Sequence, residues 1–361
     1  MAYHYLDYQE LLQFCEKVFS AYGFNESESA DIARIVLAAD LKGIESHGVQ
    51  RMVRYDAEIL SGMVDLAAKP QIIHETPLSA VVDAHAAMGQ LTAKMAMETA
   101  IRKAKAAGLG MVAVRNCNHY GIAGYYAEMA AEEDLIGICM TNTEAIMVPT
   151  YGKQPMLGTN PIALSMPADP YTFSFDCATT IVPRGKMEVY AKREKEMPLG
   201  WGVDEEGQDC CDAARVLENI IGKKGGGILP LGGSKEENGS HKGYGLGMIC
   251  ELFTGVLSGG LTSDRVNRGL SEGAGICHFF MAIDYGLFGD KNQIRQNFSA
   301  YLARIRDSQK ADGQERIYTH GEKEASLQLL RKEKGIPVND KTLSELRRLS
   351  GGHIPMPAIL P

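Results

Sequence analysis

Residues 111–141 read MVAVRNCNHYGIAGYYAEMAAEEDLIGICMT. Two β-type runs, MVAVRN (111–116) and IGICMT (136–141), enclose a polar turn bearing His119 and a helical stretch, IAGYYAEMAAEED (122–134). Further β-type runs follow at PIALSMP (161–167) and YTFSFD (171–176), divided by Gly, Pro and Asn. This order describes a mixed sheet rather than a regular βαβ alternation. A GxGxxG fingerprint opening a helix after a strand is absent, so a dinucleotide would be held by something other than a Rossmann domain.

Working outward, the N-terminal side is helical. Asn25 can cap a helix with Glu28 three residues on, and Ile32, Ile35, Val36 and Ala39 then form one apolar stripe. A second helix is expected from Ser46, and a third over 90–107, ending at Gly108, where a left-handed residue is easily accommodated. After Lys186 the chain reads as polar and turn-rich up to GGGILPLGG (225–233). In KGYGLGMICELFTGVL (242–257), Leu246, Ile249, Cys250, Phe253 and Leu257 share a helical face, which predicts a well-buried helix. Amphipathic helices are expected around 292–305, 322–332 and 340–349.

The 361 residues are 45% hydrophobic and 23% charged, enough apolar material for a large core and two interleaved domains. A net charge of −8 argues against a nucleic-acid or anionic-membrane surface, so an anionic substrate must be held by a few local cations. No apolar run approaches a membrane span, and the scattered cysteines read as reduced, mostly buried thiols of a cytoplasmic protein. Vicinal Cys210 and Cys211 lack a second ligand pair, so no metal is expected.

Four stretches could carry chemistry. In ESHGVQRMVRY (45–55), His47, Arg51 and Tyr55 are four residues apart and lie on one face if helical. Guanidinium can clamp a carboxylate while imidazole or phenol orients or protonates a neighbouring oxygen, the equipment a 2-oxo acid requires. A helix capped by Ser46 with a solvated Arg51 fits the same letters. In RNCNHYG (115–121), His119 ends a β-run just before a helix, where an imidazole can exchange the proton of a hydroxyl or simply sit inert. GTNPI (158–162) and FDCATT (175–180) offer small hydrogen-bonding groups to ribose and phosphate, or ordinary turn chemistry. In GSHKGYGL (239–246), Lys242 stands at a helix entrance suited to an anion, although Gly243 and Gly245 also permit tight packing.

Taken in order, SHGVQR, NHYG, GTNPIA, DCATT, LPLGG…HKGYGL…LSGG and the late GIPV resemble the malate/L-lactate dehydrogenase family of the non-Rossmann type, from about Tyr8 to Leu349. The resemblance implies an α/β homodimer: a mostly antiparallel mixed-sheet cofactor domain over 126–289, and a helix-rich substrate and dimerisation domain over 1–125 with 290–361. It implies His47 and His119 as the active-site imidazoles, with His119 preferred for the proton. Arg51 becomes the carboxylate clamp, and Tyr55 and Ser46 line the substrate pocket. Thr143, Gly158, Asp176, Ala178, Thr179, His241, Lys242, His320, Gly321 and Glu322 are implied to contact NAD or NADP. The expected reaction is hydride transfer between the cofactor and a small 2-oxo or 2-hydroxy acid, with malate/oxaloacetate leading. A reductase of cyclic imino acids or diketo sugar acids, and a catalytically silent nucleotide binder, are the rivals. Two departures from the family pattern, the long SKEENGS interval (234–240) and THGE (319–322), fall on the cofactor side.

Overall fold

The computed structural model describes residues 3–266 and 273–360. A seven-stranded sheet forms its centre, in the spatial order Gln71–Glu75, Ser79–Asp83, Leu109–Cys117, Ile276–Ile283, Ile136–Thr141, Ile162–Met166, Phe173–Cys177. Only Ser79–Asp83 and Leu109–Cys117 run parallel; the other neighbours are antiparallel. The architecture is thus the expected mixed, mainly antiparallel α/β fold. The sheet takes strands from both sides of residue 125.

One face of the sheet is covered by the helices Gly89–Ala107 and Ala123–Glu132, whose inward sides are largely alanine: Ala93, Ala96, Ala100, Ala104, Ala127 and Ala130. Such small side chains let the helices lie almost on the strands. A Cβ on Gly110 would stand 2.0 Å from the Ala100 carbonyl oxygen, and one on Gly137 2.1 Å from that of Ala127. The first of these helices ends at Gly108 in the left-handed region, as expected.

The chain's two ends share a second core. Phe14, Val18 and Phe19 from the helix Tyr8–Ala21 and Ile32 and Val36 from Glu26–Leu41 pack with Ile336, Leu343 and Leu346. The Asn25–Glu28 capping box opens the second of these helices. A small three-stranded sheet ties Tyr3–Leu6 to Ile336–Asn339 and Ile359–Leu360. Helices Lys291–Arg306, Glu322–Lys334 and Asp340–Leu349 stand where the sequence places them.

Three expectations need correction. The segment from Ser46 is not one helix: short 3₁₀ turns, Glu45–His47 and Val49–Arg51, precede the helix Met52–Leu60. The break is at Gly48, where a Cβ would meet the Asp40 carboxylate at 2.0 Å. The stretch after Lys186 holds a helix, Ala213–Gly222, capped by Asp212 and burying Val216, Leu217 and Ile220, and it packs on Arg184–Lys192. Finally, the helix Ser240–Glu251 and its π-helical extension Leu252–Val256 bury Gly243, Gly247, Cys250 and Thr254. Leu246, Ile249, Leu252, Val256 and Leu257 face outward instead. The glycine side approaches the protein too closely for larger residues, since a Cβ on Gly243 would come 2.3 Å from the Leu231 carbonyl oxygen.

Candidate active site

Asp40 is buried in the last turn of Glu26–Leu41, and its carboxylate accepts the Val49 N–H at 2.7 Å. Burial pushes its pKa up to about 8 against the opposing pull of that N–H. This contact pins the residue after Gly48 and bends the chain there. The bend turns Ser46 and His47 toward the start of Met52–Leu60. Ser46 Oγ lies 2.9 Å from His47 Nδ1, so Ser46 holds an imidazole and caps no helix. Arg51 donates from Nε to the Ser46 carbonyl. Among the described residues no carboxylate pairs with its guanidinium in an ion pair, which leaves the Nη edge available to a ligand.

His119 arrives from the opposite side. Asn118, fully buried, donates to the carbonyls of Ala86 and Ala87 at 2.8 and 3.1 Å and accepts the Ala274 N–H at 3.0 Å. His278 lies beneath, bound to Thr141 Oγ1 and the Asn118 carbonyl; burial first of all holds its pKa down to about 3. On this fixed base the His119 ring stacks against His47, centroids 5.6 Å apart, and its Nδ1 lies 2.8 Å from the Tyr55 hydroxyl. His47, His119, Tyr55, Ser46 and Arg51 therefore converge although no regular helix presents them. His47 resists protonation: desolvation, then the charges of Arg51 and Arg54, lower its pKa to about 3. Burial chiefly raises that of Tyr55 far above the phenol range, so both groups are neutral near pH 7.

A third wall comes from the start of the helix Arg184–Lys192. A Cβ on Gly185 would lie 4.0 Å from that of Ser46, and the charge of Arg184 is felt at Arg51. Asp176, at the end of its strand, accepts the Gly124 N–H at 2.7 Å just beyond the His119 turn. A cavity of about 730 Å³ lies elsewhere, lined by residues such as Val64, Asp65, Asp83 and His85, and includes none of the expected site residues.

The other residues expected on the cofactor side divide into three groups. Thr143 Oγ1 accepts the Thr159 N–H, Thr179 donates to the Thr159 carbonyl, and a Cβ on Gly158 would meet Thr143 Oγ1 at 2.2 Å; these shape a tight scaffold beside the half-buried Ala178. His241 and Lys242 are exposed on the first turn of Ser240–Glu251, behind Gly232, whose added Cβ would strike Gly239 at 2.4 Å. An exposed lysine and an imidazole beside helix amides fit a dinucleotide's phosphates. In the THGE loop, Glu322 is buried, accepting the Thr319 N–H and pairing with Arg316, while Gly321 sits in the left-handed region against the Thr172 carbonyl. His320 is exposed with its ring edge-on to Phe173 and Phe175, so of this loop only His320 presents a free face.

Asp40, Asn118, His278 and Arg184 were not singled out by sequence reasoning. The first three act through contacts with distant segments and carry no local signature; Arg184, a cation at a helix start, was visible in VPRGKMEVY (182–190).

The malate/L-lactate dehydrogenase family model matches residues 6–347, and the chain belongs to that family. It is 43% identical to a malate dehydrogenase of Pyrococcus abyssi over 94% of this chain and 92% of the relative. It is 36% identical to an L-sulfolactate dehydrogenase of Methanocaldococcus jannaschii over 92% of each. Its fold superposes on the crystal structure of malate dehydrogenase from Entamoeba histolytica with a TM-score of 0.95 at 35% identity, covering 99% of this chain and 100% of that one.

Proposed function

We propose that this protein is an NAD(P)-dependent dehydrogenase of small 2-hydroxy acids, with malate/oxaloacetate as its substrate pair. The observation that carries the reading is the meeting of His119, Tyr55 and neutral His47 beside a guanidinium that no described carboxylate neutralises. Arg51 clamps the substrate carboxylate through its Nη edge, with Ser46, His47 and Tyr55 shaping the pocket. His119 exchanges the proton at Nε2: its imidazolium protonates the carbonyl oxygen during reduction, and its neutral form takes the hydroxyl proton during oxidation. His47 is poorly suited to that task because its surroundings keep it neutral. Arg184, held by Glu188 at 3.1 Å on the wall facing Ser46, supplies a second cation for a distal carboxylate, which favours a four-carbon dicarboxylate over a monoacid.

The cofactor, when bound, supplies or accepts hydride at the substrate carbon. Residues 126–289 form most of its side: Lys242, His241 and the amides of their helix would hold phosphate, with Asp176, Ala178, Thr179 and His320 as further contacts. Residues 1–125 and 290–361 form the substrate side. We further propose a cytoplasmic homodimer. Leu252, Val256 and Leu257, each about half exposed, continue an outward apolar stripe that water alone would cover in a monomer. Leu252→Asp with Val256→Asp should yield monomers on sedimentation; wild-type protein sedimenting as a fully active monomer would contradict the dimer. Among the described residues no helix is long and apolar enough to cross a membrane.

A spectrophotometric screen tests the assignment. Oxidation of NADH or NADPH should be fastest with oxaloacetate. Greater kcat/KM with a diketo sugar acid or a cyclic imino acid would move the protein to those reductases, and cofactor binding without turnover of any of them would make it a silent member.

A further inference from the structure

The helix Gly89–Ala107 begins against the His119 turn so closely that a Cβ on Gly89 would lie 2.3 Å from the His119 carbonyl oxygen and 2.5 Å from that of Asn118. The next residue, Gln90, is wholly buried, and neither Nε2 nor Oε1 of its amide makes a well-formed hydrogen bond to any described residue. Leaving both ends of a buried amide unpaired costs on the order of 1–3 kcal/mol per group, so such a residue calls for an explanation. The Gln90 amide is near enough to the Tyr55 hydroxyl to act on its ionisation, a minor pull downward that corresponds to its N–H edge facing the phenol oxygen. The carboxylate of Glu58 has an unpaired buried oxygen too, but Arg54 holds that group at 2.6 Å.

Proton transfer at Nε2 imposes a condition on the rest of the ring. Whether His119 acts as acid or base there, Nδ1 must keep its proton in both states. The atom 2.8 Å from Nδ1 is the Tyr55 oxygen, which must then accept that proton's hydrogen bond and send its own hydrogen elsewhere. We infer that Gln90 is a positioning residue: its Oε1 accepts the Tyr55 O–H, and the chain Nδ1–H to Tyr55 to Gln90 fixes the tautomer of His119. A rotation of the amide exchanges its oxygen and nitrogen without displacing the backbone. Gln90 is sealed from solvent, so it acts through Tyr55 and not on substrate directly.

The inference rests on His119 as the proton carrier, but its test reads the ring itself. The imidazoles of the full-length protein are labelled with ¹⁵N, the His119 resonances are identified by their loss in His119→Ala, and the tautomer is read well above the histidine pH range. Wild type should hold neutral His119 as the Nδ1–H form. Gln90→Leu should move it toward Nε2–H and lower kcat about tenfold in both directions, with cofactor affinity and melting temperature little changed. Gln90→Glu, which keeps an oxygen acceptor, should restore the Nδ1–H form; Gln90→Met serves as the apolar variant if Gln90→Leu does not fold. Retention of Nδ1–H in the apolar variants overturns the inference. A tautomer shift with unchanged kcat upholds the positioning chain and instead removes His119 as the proton carrier.

Discussion

The segment from Ser46 to Tyr55 and the segment 242–257 both read as helices, and both depart from their readings at glycines, in opposite ways. At Gly48 the helix is broken because the buried Asp40 carboxylate occupies the space of a side chain, and the break leaves His47 beside His119 and Ser46 beside Arg51. Between Gly243 and Gly247 the helix persists, but its glycine side packs inward and Leu246, Ile249 and Leu257 of its apolar stripe face out while Cys250 stays buried. Spacing of apolar residues thus reports a helix's period; the surface buried is decided by which side can approach its neighbours most closely.

The two regions should also respond differently to substitution. The largest effect belongs to the first: His119→Ala should lower turnover by roughly 10²–10⁴-fold while the cofactor still binds. His47→Ala should act chiefly on KM, as steady-state kinetics of the two variants will separate. Arg51→Lys keeps the charge but loses the planar fit to a carboxylate. Its KM for oxaloacetate should rise by a factor corresponding to about 2 kcal/mol, with cofactor affinity measured by fluorescence titration nearly unchanged. An unaltered KM would remove Arg51 from the site.

Alanine at the glycines sharpens the contrast further. Gly48→Ala should destabilise the protein by roughly 1–3 kcal/mol in urea unfolding, because the new Cβ must displace Asp40. If residues 46–55 formed one regular helix, the same change would stabilise it. Gly245 is the reverse case: nothing lies within 4 Å of its added Cβ, so Gly245→Ala should stabilise by about 0.5–1 kcal/mol. Equal signs at the two positions would refute the comparison.

What the sequence made legible was local. The Asn25–Glu28 box, the left-handed end at Gly108 and the late helices each depend on residues within a few positions of one another. The helix Ala213–Gly222 was equally local, with Asp212 ahead of Val216, Leu217 and Ile220, and could have been found by its cap. The central strand Ile276–Ile283 is mostly buried on both faces, so it shows no alternation and its pairing with Leu109–Cys117 is not readable from spacing. At the site, the residue types of His47, Arg51 and His119 suggested oxo-acid chemistry, but the contact of Tyr55 with His119 spans 64 positions and is made by the fold. The outward turn of Leu246, Ile249 and Leu257 depended likewise on close packing that hydropathy does not record.

The assignment of the proton to His119 is tested most directly by initial rates against pH in both directions for wild type, His47→Ala and His119→Ala. Oxidation of the hydroxy acid needs a neutral imidazole and reduction of the oxo acid a protonated one. Wild-type rates should therefore rise with pH in the first direction and fall in the second, through a midpoint near the histidine range. His47→Ala should keep this opposed dependence and His119→Ala should lose it. If His47→Ala abolishes the dependence while His119→Ala preserves it, His47 is the proton carrier and the central claim is wrong.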